Sequence, residues 1–402
     1  MCDKLQVGIV GMGNRGCGLM EGSILKMPDI KVAAVCDTHK DSLNLGVSIV
    51  ENVRGKKPHI FQDHNDLIQC PDVDVILALG AWHTHAPVAL GAMQVGKAVA
   101  TEVSCRDTLE QCWELVRTHE ETGVPFMMLE DCCYARNEML LLNMARQGVL
   151  GELVHVSGGY MHDCRPYMLA GSSLANYRLQ YYLNRNGDSY PTHALGPLAK
   201  LLRIGRGNRI LTLSSFASKS AGIRDLVNRT KPVDDPLRQM QIKQGDIIMT
   251  VITCAGGETI VLTLDTTLPR PYSRGYTIRG TKGMYLEDNN MIFLENEHHH
   301  TEKMCNLHNN LPQYYDKYEH PMWRDYLAQT PEQSVDGSFM ALRRFFDAVK
   351  DGRQTPIDAY DTALWMSILP LTEMSIARGG APVDVPDFTN GKWMWQKSDW
   401  VP

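Results

Sequence analysis

The chain has no pair of cysteines two residues apart, no apolar run of bilayer length, no cluster of Lys and Arg, and no repeat or low-complexity tract. Each absence removes a class of protein. Spanning a bilayer as a helix takes about 20 consecutive apolar residues, so no membrane partner is expected. Nucleic acid is held by clustered cations, and a formal net charge of −6 without a basic run makes it an unexpected partner too. The 11 cysteines are scattered, and an odd total cannot be fully paired within one chain. Reduced thiols in a cytoplasm fit best. Met1-Cys2-Asp3-Lys4-Leu5 runs straight into a strand pattern without the charged and apolar regions of a secretory signal, and the expected location is cytoplasmic.

What is present suits a large soluble enzyme. A length of 402 residues with 44% hydrophobic residues supplies more core than one domain holds. Apolar strands at Val7–Val10, Val32–Cys36, Val73–Leu79, Ala98–Thr101 and Pro125–Leu129 alternate with helix patterns such as Ala86–Val95 and Leu109–Thr122. That alternation builds a parallel sheet. After a helix pattern at Asn137–Gln147, β-like runs are grouped at Leu153–Gly159, Ile210–Phe216, Ile247–Thr253 and Thr259–Asp265, as in an antiparallel sheet. Asn290–Asp336 reads as an irregular excursion, and helices are expected at Phe339–Lys350 and Ala359–Arg378. The fold class is therefore α/β: a doubly wound Rossmann sheet over residues 1–128, then an α+β domain with an open, mainly antiparallel sheet over 129–402, whose final helices are free to pack back on the first.

The first strand runs into Gly11-Met12-Gly13-Asn14-Arg15-Gly16 and then a helix pattern over Cys17–Ile24. Strand before and helix after make this spacing a dinucleotide fingerprint. Gly11 allows the tight turn, Gly13 lets backbone approach a pyrophosphate, and Gly16 lets helix pack on strand. The helix N-terminus supplies N–H groups and partial positive charge to the phosphates. Asp37 follows at the end of the second strand, where a carboxylate accepts hydrogen bonds from a ribose diol. The expected cofactor is NAD, with His39 and Lys40 leaving room for NADP.

This motif, Asp37, the Trp82-His83-Thr84-His85 loop and the Gly96-Lys97-Ala98-Val99-Ala100-Thr101-Glu102 segment resemble the Gfo/Idh/MocA oxidoreductase family. In that family the sheet of the second domain bears the substrate site and often an oligomer interface, which implies a homo-oligomer here. Its sugar and inositol dehydrogenases follow the glutamate with Lys-Pro, whereas Glu102 is followed by Val103-Ser104. The departure is similar to glycoside hydrolase family 109, NAD-dependent glycosidases named for α-N-acetylgalactosaminidase activity. Leu129-Glu130-Asp131-Cys132-Cys133-Tyr134, Tyr160-Met161-His162-Asp163, Arg178-Leu179, Arg185-Asn186-Gly187 and Tyr190-Pro191-Thr192-His193 carry that resemblance across both domains. The family has Asn where Asp131 stands and a second Trp where Thr84 stands, and its Gly-rich stretch near Val335–Phe339 is altered.

The resemblance implies that a hydride leaves sugar C3, the resulting ketone acidifies the C2 proton, the C1 substituent is eliminated, water adds, and the hydride returns. It implies His193 for proton traffic at the C3 hydroxyl, Tyr190 with Pro191 and Thr192 for substrate positioning, Tyr160 for the C2 proton, and Tyr272 for substrate. An imidazole titrating near neutrality and phenols that donate or accept suit these roles. Arg178 is expected to hold substrate hydroxyls or the cofactor. Asn14, Arg15, Trp82, His83, His85, Glu102, Val103 and Asp131 are expected at the cofactor, with Trp82 covering a ring or filling a gap. A net sugar or inositol dehydrogenase and a non-enzymatic NAD sensor remain the alternatives. The His298-His299-His300 run with His308 lacks partners at metal-ligand spacing, so no metal is expected. Cys132-Cys133 reads as buried packing, because adjacent cysteines rarely meet disulfide geometry.

Overall fold

The computed structural model describes residues 4–103, 107–170, 176–298, 307–329 and 336–396. Among these the chain forms two compact units, one of residues 4–134 and 336–366, the other of residues 135–329 and 367–396.

The first unit is built on six strands: β1 (Leu5–Val10), β2 (Ile30–Cys36), β3 (His59–Phe61), β4 (Val75–Ala78), β5 (Ala98–Thr101) and β6 (Phe126–Met128). They lie in the order β3-β2-β1-β4-β5-β6 and every pairing is parallel. Sheets covered on both faces read as continuous apolar runs, and Val75-Ile76-Leu77-Ala78 of β4 is buried throughout. Each such aliphatic side chain contributes roughly 1.5–3 kcal/mol by leaving water. The strand order reverses between β1 and β4, the crevice where open α/β sheets take ligands. The helix Leu109–Thr122 has the bounds its sequence predicts, because Thr108 and Gln111 form a capping box and Gly123 closes it in the left-handed region.

The second unit carries eight strands: β7 (Leu153–Met161), β8 (Ile210–Ala217), β9 (Ile247–Cys254), β10 (Thr259–Asp265), β11 (Thr277–Gly280), β12 (Gly283–Leu286), β13 (Met291–Leu294) and β14 (Val383–Asp384). Their order is β13-β12-β11-β7-β10-β9-β8-β14. All neighbours are antiparallel except β7 and β10, so the sheet is mixed and mostly antiparallel. Along β9 every second residue is exposed, which leaves one sheet face open and the other packed.

Two expectations are corrected. The helix after β4 spans Trp82–Gln94, so Trp82 to His85 form its first turn rather than a loop. Pro87 suggested a later start, but it lies inside the helix, where the amide it lacks would have faced the carbonyl of His83 in the first turn. Asn290–Asp336 is not irregular throughout: its described residues form β13, a 3₁₀ turn at Leu311–Tyr314, and helices Tyr315–Tyr318 and Pro321–Gln329. Short elements with polar interruptions carry little periodicity. The strands β3, β11, β12 and β14, each of two to four residues, went unread for the same reason. His299, His300, Ser104 and Val335 lie outside the described residues.

Candidate active site

At the end of β1 the chain turns at Gly11 with φ of +102°. A Cβ there would fall 2.3 Å from the Gly80 amide nitrogen, so only glycine fits. Gly16 is equally constrained, since its Cβ would lie 1.9 Å from the Gly11 carbonyl oxygen. Gly13 faces open space, with nothing within 4 Å of a Cβ. It caps the helix Asn14–Gly22, whose first turn holds no acidic residue and whose cap receives no side-chain hydrogen bond. A helix N-terminus left this way suits an anion, and the residues present fit the pyrophosphate of a dinucleotide.

Asp37 also does a structural task invisible in its spacing. Its Oδ2 accepts the Met12 amide at 2.7 Å and its Oδ1 the His39 amide at 2.8 Å. Each carboxylate oxygen accepts more than one hydrogen bond, so the half-buried group can both pin the turn and meet a ribose diol.

Arg15 leaves the same turn and joins the far ends of the neighbouring strands. Its Nε donates to Glu102 Oε1 at 2.7 Å, and its terminal nitrogen to Asp131 Oδ2 at 3.0 Å. Ser338 Oγ adds a bond to Asp131 Oδ2 at 2.6 Å. Glu102 Oε2 accepts the amide of Val103, whose side chain is buried. Burial raises the Glu102 pKa, Arg15 opposes the rise and Asp131 adds to it. Burial works against the charge on Arg15, but the two carboxylates outweigh it and hold the guanidinium above its usual range. Trp82 and His85 are buried and His83 is exposed, with His85 Nε2 2.9 Å from the Gly80 carbonyl.

In the second unit Tyr160 stands near the C-terminal end of β7. Gly158, two residues earlier on the same face, lets the helix Thr192–Leu201 come close, since a Cβ there would lie 3.1 Å from Ala194 Cβ. That helix carries His193 and buried Thr192, and Pro191 caps it. Tyr160 and Tyr190 stack with centroids 4.2 Å apart. The His193 ring stands edge-on to both, at 5.3 and 4.9 Å, and Tyr272 meets Tyr160 at 6.1 Å. The Arg178 guanidinium lies 5.6 Å from the Tyr190 ring centre and donates to the Cys164 thiol at 3.7 Å. Residues from four separate stretches of the chain, Tyr160, Arg178, Tyr190 with His193, and Tyr272, thus share one cluster. Burial pushes the Tyr160 phenol above its ordinary range, so it is neutral at rest.

Residues 5–130 match the family model described as "Oxidoreductase family, NAD-binding Rossmann fold", and residues 134–395 match "Glycosyl hydrolase 109, C-terminal domain". The chain belongs to glycosyl hydrolase family 109. It is 35% identical to an alpha-N-acetylgalactosaminidase of Tannerella forsythia, over 97% of this chain and 87% of that one. Identity to a family 109 protein of Stenotrophomonas maltophilia is also 35%, over 98% and 91%. Two solved structures share the fold. A levoglucosan dehydrogenase in complex with NADH and levoglucosan gives a TM-score of 0.69 at 17% identity, covering 96% of this chain and 100% of that one. A scyllo-inositol dehydrogenase of Lactobacillus casei with NAD(H) and scyllo-inositol gives 0.66 at 13%, covering 95% and 99%. This family 109 protein is an NAD-dependent glycoside hydrolase.

Its sequence did not single out Asp188, two residues before Tyr190. The Asp188 carboxyl is buried and its Oδ1 accepts the Tyr190 amide at 3.1 Å, while its own amide donates to Thr372 Oγ1 at 2.9 Å. Glu373 clamps the preceding Arg185, with Oε1 3.0 Å from Nε. An Asp ahead of a helix start is a local turn signal, legible only once the helix is known to begin at Thr192. Burial pushes the Asp188 carboxyl up to about 7, against the pull of the Tyr190 amide. Among the described residues no disulfide forms, and Cys133 is buried while Cys132 is half-buried.

Because the folded chain holds the Asp188 proton more tightly than the unfolded chain, this group's contribution to stability falls as pH rises from about 4 to about 7. Asp188→Asn keeps an acceptor for Tyr190 and removes the titration. Its melting temperature should decline less than the wild type's between pH 5 and pH 8, and an identical decline by calorimetry would contradict the assignment.

Proposed function

We propose that the enzyme cleaves N-acetylgalactosaminides, or closely related glycosides, by oxidising the sugar transiently rather than by paired carboxylates. The relative of known name from Tannerella forsythia supports the sugar, and the Tyr160–Tyr190–His193 cluster carries the chemistry. Most glycosidases place two carboxyl groups across the scissile bond. The carboxylates on the turn and strand beside Tyr160 are committed elsewhere: Asp163 to Arg165 at 2.7 Å and Asp265 to Arg270 at 2.7 Å. What the cluster presents instead is an imidazole and phenols, the groups suited to moving protons at hydroxyl and carbon.

NAD, when bound, would supply the hydride acceptor and donor. Gly13, Asn14, Arg15, Gly16 and Asp37 would hold its phosphates and ribose, with Trp82, His83, His85, Glu102, Val103 and Asp131 at its other end. His193 takes the proton of the hydroxyl being oxidised. Tyr160 is assigned to the C2 proton, which its phenolate would remove before elimination and the phenol so formed would return as water adds; burial favours the phenol between turnovers. Tyr190, stacked on Tyr160, fixes that phenol. Arg178 and Tyr272 hold the sugar, and Pro191 and Thr192 set the approach of His193.

The open face of the second sheet supports a dimer formed by two copies of this chain. Phe216 and Met249 pair across β8 and β9 and are 52% and 53% exposed, with Val251 beside them at 45%. An apolar row on a soluble monomer is a site of association. Val251→Asp should give a monomer by light scattering at concentrations where the wild type is dimeric; equal masses for the variant and the wild type would exclude this face.

For the reaction, a nitrophenyl α-N-acetylgalactosaminide should release phenolate with sub-stoichiometric NAD and leave no lasting NADH absorbance. Stoichiometric NADH with the glycosidic bond intact would replace this reading by net dehydrogenation. His193→Ala should lower kcat at least about a hundredfold with NAD affinity retained, and unchanged turnover would remove His193 from its role.

A further inference from the structure

At one edge of the first unit's sheet, β3 is a strand of three residues that pairs only with β2. Its first residue, His59, lies opposite Ala34 and leaves its side chain exposed. That side chain reaches a turn distant in the chain: His59 Nε2 stands 2.9 Å from Oδ2 of the exposed Asp72, 13 residues on. Two residues before Asp72 is the buried Cys70. The Cys70 sulfur, a His59 ring nitrogen and an Asp72 carboxylate oxygen all lie within 4.8 Å of one another.

The turn that carries Cys70 and Asp72 is fastened on both sides. Cys70 closes the helix His64–Gln69, and its amide donates to the Leu67 carbonyl at 3.1 Å. The Cys70 carbonyl accepts the Val73 amide at 3.3 Å, and Lys97 Nζ also donates to it. Pro71 takes the second position of this β-turn, where its ring holds φ at roughly −65°. Beyond the turn, the Asp74 amide donates to the Gln6 carbonyl at 2.9 Å, and the Gln6 amide to Asp74 Oδ2 at 2.8 Å. The imidazole therefore hangs from a paired strand, and the thiol and carboxylate from a clamped turn.

We propose that Cys70, His59 and Asp72 bind a divalent ion of the zinc class, which clips the edge strand β3 to the turn ahead of β4. Zinc takes thiolate, imidazole and carboxylate in a tetrahedron at roughly 2.0–2.3 Å, which sets ligand atoms about 3–4 Å apart. The three atoms stand close to that spacing, and two of them belong to exposed side chains free to adjust. Thiolate and carboxylate together match the two positive charges of the ion, and water completes the fourth position. The surroundings select the metal. Lys4, Lys31, Arg54, Lys56 and Lys57 line the cleft that His59 and Asp72 also line, and that field opposes a cation held by charge alone. Calcium and magnesium, which call for oxygen ligands, are disfavoured. An ion bonded through sulfur and nitrogen withstands the field. A short strand with a single paired neighbour gains most from the clip, because metal affinity adds to the stability of whatever the ligands hold together. Sequence spacing led to no metal being expected; these ligands meet only when β3 lies beside the turn.

The test uses the full chain, stripped of metal and kept reduced, titrated with cobalt(II), whose bond to a thiolate gives a charge-transfer band in the near ultraviolet. One equivalent should raise that band, and zinc(II) should displace it. Cys70→Ser should abolish it. His59→Gln and Asp72→Asn, both at exposed positions, should weaken cobalt binding at least about tenfold, the lower end of losses at perturbed metal sites. Zinc should raise the melting temperature of the wild type and leave that of His59→Gln in place. No band in the wild type, a band that persists in Cys70→Ser, or unchanged cobalt affinity in His59→Gln would overturn the site. The exposed variants decide the matter even where replacing the buried thiol costs the fold.

Discussion

Each unit rests on a close approach at a bare glycine: in the first the backbone comes nearer than a β-carbon permits, and in the second a helix side chain packs tightly on one. In the first, the turn after β1 lies on Gly80 at a distance only Gly11 tolerates, and the helix that follows sits on that turn because Gly16 is bare. In the second, Gly158 admits the helix bearing His193 onto β7. These approaches fix where N–H groups, rings and imidazole stand before any ligand is bound. Preorganisation of this kind spares the reaction the cost of assembling its groups. Adding a methyl group at Gly11 or Gly16 would move backbone rather than a flexible side chain.

The charge network is built upon the turn. Arg15 gathers Glu102 and Asp131 from just past the ends of two other strands, so the glycine turn is tied to the segments that follow β5 and β6. In this chain Val103 follows the glutamate and buries its side chain. In the second unit the His193 ring stands edge-on to two stacked tyrosines. Two carboxylates close to Tyr160 in the chain and on the neighbouring strand, Asp163 and Asp265, are each held by an arginine.

The first unit was legible because its signals are local. Strand, glycine spacing, helix and Asp37 lie within one short stretch, and every element there obeys its own periodicity. The helix at Trp82 was misplaced because Pro87 imitates a start, and burial of Trp82 and His85 overrode that cue. In the second unit Tyr160, Tyr190, His193 and Tyr272 became candidates through resemblance, since no spacing links them; the sheet and one helix bring them together. Asp188 escaped notice because its role exists only in three dimensions, as a buried acceptor for the Tyr190 amide. The strands β11 and β12 and the helices past β13 are too short for a period to show.

The account turns on a carbon–hydrogen bond at C2 being broken during a reaction that leaves the sugar's oxidation level unchanged. Cleavage of the glycoside in deuterium oxide, with catalytic NAD, reports this directly through the isotope content of the released sugar. Deuterium at C2, at one atom per turnover, is the predicted result. Release of sugar with hydrogen retained at C2 would contradict the mechanism.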